Sequence, residues 1–144
     1  MSHKGRFQKV GKKNKTLYGP RRLLVCGYPT EEHNYFLNFL EATGLSRLPI
    51  IFATDNDLDK ELKDILKAEH KAGFESLSNM SRAIIMSGIN ESELQNLMGC
   101  YKKTELPGQL WATLTPYSEK WTLQQLLNEL ESESKAMKSK RQKG

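Results

Sequence analysis

One order of strand and helix signals is written twice along this chain, and no other feature narrows its fold as much. Residues 22–26 (RLLVC) form a short apolar run closed by Gly27, Tyr28 and Pro29, which reads as a buried strand. Thr30 has the profile of a helix N-cap, and Glu31 and Glu32 suit the positive end of the helix dipole. His33, Phe36, Leu37 and Leu40 follow at helical spacing through Thr43, and Gly44 is a natural stop. Residues 48–53 (LPIIFA) read as a second strand, with Pro49 tolerable at its start. Asp55, Asn56 and Asp57 form a turn and cap cluster. Leu58, Leu62, Ile65 and Leu66 then predict an amphipathic helix ending near Gly73.

The order restarts at residues 83–86 (AIIM). Ser87, Gly88 and Ile89 stand where Cys26, Gly27 and Tyr28 stood, and Asn90 takes the cap position before Glu91 and Glu93. Leu94, Leu97, Met98 and Tyr101 line a helix that Leu106, Pro107 and Gly108 break. Residues 109–114 (QLWATL) predict a strand, and Leu123, Leu126, Leu127 and Leu130 a last helix. Gly27 and Gly88 are 61 positions apart, as are Leu62 and Leu123, whereas the pairs Ala53-Thr54 and Ala112-Thr113 are 59 apart. Equal offsets with the same element order argue for an internal duplication, residues 21–73 and 82–134, with loops drifted by two residues. The expected fold class is α/β: a duplicated β-α-β-α unit giving a four-stranded sheet with helices packed on it. One half alone, with two strands, could not bury its faces. Two arrangements stay open: one all-parallel sheet, or a pseudo-twofold with an antiparallel seam.

Charge is segregated along the same chain. Of the 22 Lys and Arg residues, 13 lie in residues 1–30 and 135–144, which contain no acid; residues 31–134 hold the other nine with all 17 acids, a net of −8. The reading is an acidic single domain over 21–134 between basic tails, 1–20 and 135–144. The first tail lacks an apolar period and is expected to stay disordered until it binds; the second extends the last helix or frays. Contact with phosphate, on RNA, a ribosome or another anionic surface, would fall to Lys12, Lys13, Lys15, Arg21 and Arg22, acting by charge rather than base readout.

No apolar stretch reaches the roughly 18 residues of a membrane span, and no apolar core follows the basic start as in a secretory signal. Two cysteines are too few for a disulfide framework, so a reducing, cytoplasmic setting is expected. The alternative is an organelle matrix such as the plastid's, with residues 1–20 as a transit peptide, although lysine dominates there and serine is scarce.

The second half, residues 84 to about 131, resembles the bacterial domain-of-unknown-function family thirty-seven eighty-three. The matching residues are Ser87-Gly88-Ile89, Glu91-Ser92-Glu93-Leu94, Leu106-Pro107, residues 110–116 (LWATLTP) and residues 121–130 (WTLQQLLNEL), the last being the most specific. The resemblance implies a compact α/β domain and supplies no activity, substrate or catalytic residue. The first half lacks the tryptophan signature and would be a diverged copy.

Each candidate chemistry has a plain structural rival. Cys26, Gly27 and Tyr28, with Ser87 and Gly88, lie at strand ends, where open α/β sheets gather ligands. A small ligand-binding or enzymatic domain using that crevice is therefore the alternative function. Against it, no arginine follows Cys26 as a phosphatase-like loop needs, no Cys-x-x-Cys is present, and the glycines are lone ones followed by acids that repel phosphate. His33 and His70 have no metal-ligand partner at the usual spacings, and the aspartates at 55, 57 and 59 lack the glycine and glutamate of a calcium loop. Neither a cofactor nor a metal is expected. Trp111 and Trp121 read as packing residues, Trp111 on the sheet face and Trp121 stapling the last helix, while Tyr117 and Tyr28 read as exposed. The expected function is a non-enzymatic binding or assembly module: the acidic body meets a protein partner and the tails a polyanion. A homodimer through exposed helix faces is a further possibility.

Overall fold

The computed structural model describes residues 15–45 and 47–143, with side chains through Met137. Short apolar runs bounded by glycine, proline or aspartate make the strands β1 (Arg22–Cys26), β2 (Ile50–Phe52), β3 (Ala83–Ser87) and β4 (Leu110–Thr113). The helices are α1 (Thr30–Ala42), α2 (Leu62–Ile65), α3 (Glu91–Tyr101) and α4 (Leu123–Lys143). The four strands form one sheet in the order β2-β1-β3-β4. β1 pairs with β2 and β3 with β4 in parallel, while β1 and β3 meet antiparallel. Of the two arrangements left open by the sequence, the antiparallel seam is the one adopted.

The two halves follow one register. Leu23↔Ile50, Leu24↔Ile51 and Val25↔Phe52 in the first correspond to Ile84↔Trp111, Ile85↔Ala112 and Met86↔Thr113 in the second, each 61 residues on. At the seam Leu24 pairs with Ile85, its own counterpart. A second self-pairing occurs at the Glu61↔Thr122 bridge, where Leu62 N–H donates to Trp121 O (2.9 Å) and Leu123 N–H to Lys60 O (3.0 Å). An approximate twofold therefore passes through both points.

The expected 59-residue drift of the Ala-Thr pairs is corrected: Ala53 N–H donates to Val25 O as Leu114 N–H donates to Met86 O, so Leu114-Thr115 is the true counterpart of Ala53-Thr54. Thr54 and Asp57 close a turn that Thr115 and Ser118 close again. The helix expected from Leu58 to Gly73 is also corrected. A 3₁₀ turn (Asp55–Asp57) comes first, and α2 spans only four residues. Glu61 must be extended to make the bridge to Thr122, which keeps the helix from starting earlier. Pro29 rather than Thr30 flanks α1, whereas Asn90 does cap α3, its side chain accepting from Glu93 N–H.

Alternation along the strands splits the core. Leu23, Val25, Ile50, Phe52, Ile84 and Met86 face α1 and α3; Leu24, Cys26, Ile51, Ile85 and Ala83 face α2 and α4. Two helices on each face give a three-layer α/β domain. Residues 15–21 run along the α3 side of β3, where Leu17 N–H donates to Ile89 O and Gly88 N–H to Tyr18 O. Among the described residues no helix is long and apolar enough to cross a membrane.

Candidate functional site

The strand-end residues singled out from sequence do not converge. Because β1 and β3 are antiparallel, Cys26 sits opposite Ala83 and Ser87 opposite Arg22. That places Cys26 and Ser87 about 13 Å apart along the sheet, near opposite ends. Each glycine turn is also covered by the segment that leads into the other half. A Cβ on Gly27 would lie 2.5 Å from Met80 O and Ser81 O; one on Gly88 would lie 2.4 Å from Gly19 O. Positive φ at both (75° and 66°) and this contact require glycine.

The covering segments are held by two equivalent clasps: Arg82 grips Glu32 through two bonds (2.8 and 3.0 Å), and Arg21 grips Glu93 (2.6 and 2.5 Å). The Arg21 guanidinium holds the Glu93 carboxyl below its ordinary pKa. Cys26 is fully buried, and desolvation pushes its thiol well above the ordinary range. Tyr28, expected to be exposed, is buried; its hydroxyl meets that of Tyr101 at 2.8 Å beneath the Arg82 guanidinium. Phe36, Tyr101 and Arg82 close over it, which its place after a glycine did not reveal. Tyr117 is exposed as expected.

Of the basic residues, Arg21 is engaged by Glu93, and Arg22 donates to the carbonyls of Leu66 and Ala68. Lys15 is exposed, with its backbone tied to Glu91; Lys12 and Lys13 lie outside the described residues. His33 is buried, its Nδ1 accepting from Glu75 N–H and its Nε2 facing Tyr28 O, so the ring holds structure together. Among the described residues no group of three or more His, Cys, Asp or Glu side chains converges as a metal site would need.

The surface that stands open is one that sequence reasoning did not single out: the edge of β4. In a parallel pair alternate residues turn their backbone polar groups outward. On β2 these are Ile50 and Phe52, and residues 70–73 occupy them. Ile50 N–H donates to His70 Nδ1 (3.0 Å), Lys71 N–H to Ile50 O (2.7 Å) and Phe52 N–H to Ala72 O (2.8 Å). The counterparts on β4 are Trp111 and Thr113, whose outward N–H and C=O groups have no partner among the described residues. In the second half the positions matching this strap, 131–134, are turns of α4 instead.

A groove of about 650 Å³ runs along the open edge, lined by Met98 of α3, Leu110 and Trp111 of β4, and Leu130, Glu133 and Met137 of α4. Trp111 lies edge-on to Tyr101 (5.5 Å between ring centres) and is only partly covered. At the groove's end the Gln109 Nε2 is shut off from solvent without a partner. Such an edge can accept an extended backbone.

The geometry thus defines a class: a three-layer α/β domain with a seam-centred twofold and, among the described residues, one closed and one open sheet edge. Within it, residues 82–137 match the family model described as Domain of unknown function (DUF3783), from β3 through the inner part of α4. This bears out the resemblance carried by the second half. No curated protein and no solved structure matches the chain.

Proposed function

We propose that the chain is a non-catalytic assembly module made of two tandem copies of one β-α-β-α unit, its acidic body meeting protein and its lysine-rich ends meeting a polyanion. The single observation that carries this reading is the filling of both strand-end turns by the chain's own backbone, Met80-Ser81 over Gly27 and Gly19-Pro20 over Gly88. A crevice ligand has no room there, while none of the described residues covers the β4 edge. The constant offset of 61 in strand register, glycine turns and arginine clasps supports the tandem origin. With Arg21 paired to Glu93 at the surface and Arg22 turned onto the Leu66 and Ala68 carbonyls, the polyanion contact falls to Lys12, Lys13 and Lys15 and to the basic residues from Lys135 onward.

The test compares the full chain with one lacking residues 1–14, which spares the packed segment from Lys15 onward. Binding to a single-stranded RNA is titrated at rising salt. The full chain is expected to lose affinity steadily with salt, and the deletion to weaken binding by about tenfold or more. Binding that ignores both salt and the deletion overturns the polyanion role.

A further inference from the structure

We infer that the open edge of β4 is a twofold dimer interface, on which a second copy of this chain adds its own β4 antiparallel to form a continuous eight-stranded sheet. The inference rests on reading the chain as an assembly module and names one of its partners. Centred on Ala112, such a pairing sets Trp111 of one copy opposite Thr113 of the other. Each pair exchanges both N–H···O=C bonds, so all the outward groups of Trp111 and Thr113 are satisfied at once. Trp111 against Thr113 is also an aromatic and β-branched cross-strand pair of the favourable kind.

Charge selects the occupant. Natural edge strands are guarded by charged side chains or proline, yet β4 itself (LWAT) has neither: residues 106–117 (LPGQLWATLTPY) contain no Asp, Glu, Lys or Arg, and Pro107 and Pro116 lie outside the strand. A strand without charge can face its own copy with no like charges opposed. It gives a lysine-rich segment such as residues 1–14 no counter-charge beyond Glu133 in the groove. The chain already uses this geometry internally, where β1 and β3 pair antiparallel about the Leu24–Ile85 contact. The same operation at β4 extends the sheet and covers Trp111, Leu130 and Met137, the last 58% exposed in the single chain.

Sedimentation equilibrium of the full chain from low to high micromolar concentration provides the test, beside amide hydrogen exchange at Trp111 and Thr113. A dimer is expected, with both amides protected as concentration rises. Thr113→Pro deletes an outward donor that makes no bond among the described residues, and edge strands accept proline. It should leave the circular dichroism spectrum unchanged and weaken association by about thirtyfold or more. Thr113→Lys, which keeps the backbone intact, should weaken it as well and serves if the proline variant misfolds. A chain that stays monomeric at every concentration, or a dimer indifferent to both variants, overturns the inference. So do amides protected in a monomer and released by deleting residues 1–14, since the chain's own arm would then fill the edge. Retained RNA binding in a monomer would leave the module reading standing while this inference fails.

Discussion

The two halves share one register yet finish their sheet edges in opposite ways. At the end of α2 the Arg22 guanidinium takes the carbonyls of Leu66 and Ala68, the chain stops being helical, and residues 70–73 turn back to seal β2. At the matching point of the second half Ala83 stands where Arg22 stood, no guanidinium caps the turn, and α4 runs on to Lys143. The comparison teaches that whether a sheet edge is closed can depend on one side chain several elements away. A cation at a helix C-terminus stabilises the last carbonyls, and its absence leaves them to the next turn of helix.

The largest effect is expected from breaking the strap itself. Gly73 has φ 76°, and a Cβ there would lie 1.9 Å from Phe52 O. Gly73→Ala combines a backbone clash with left-handed strain and should cost about 3 kcal/mol or more, read from the urea midpoint at constant slope. It should also make β2 exchange its amides as freely as β4. An unchanged midpoint would mean that the strap is not fixed to the edge.

Removing the cap comes next. Arg22→Ala should cost about 2 kcal/mol, because two buried carbonyls lose a charged donor. Exchange should quicken at Ile50 and Phe52 while Trp111 and Thr113 stay as they were; equal quickening on both edges would break the comparison.

The smallest effect is a pH dependence confined to the first half. Burial holds His33 below its ordinary pKa of 6.5, and its unprotonated Nδ1 accepts from Glu75 N–H, two residues past the strap. A histidine with a lowered folded pKa binds its proton more readily when unfolded, so stability declines as pH falls through 6.5 toward the folded value. Exchange at Glu75 should rise over that window in the wild type and show no such step in His33→Gln.

Much of this architecture is legible in the residues, and its failures have physical causes. β1 matches residues 22–26, Asn90 caps α3, and Gly27 and Gly88 are spaced by 61 because both must adopt positive φ under a crossing backbone. The Ala-Thr pairs misled because identical dipeptides need not share a register, which hydrogen bonding alone sets. The strap was hidden because Lys71 takes a φ of 70°, a conformation lysine does not announce, inside a run that looks like the end of a helix. The open edge went unseen for the complementary reason. A strand pattern records which side chains are buried, not whether a neighbour lies beyond. Arg21 and Arg22 read as candidates for phosphate contact; the sequence shows their charge but not the carboxylate and the carbonyls that they meet in the fold.

The crossing of the two entry segments carries a consequence for any relative that possesses the matched span by itself. Gly19-Pro20 seals the turn at Gly88, and Arg21 grips Glu93, yet all of these lids lie upstream of residue 82. A polypeptide comprising only that span would be born with a bare strand-to-helix bend and an ungripped glutamate.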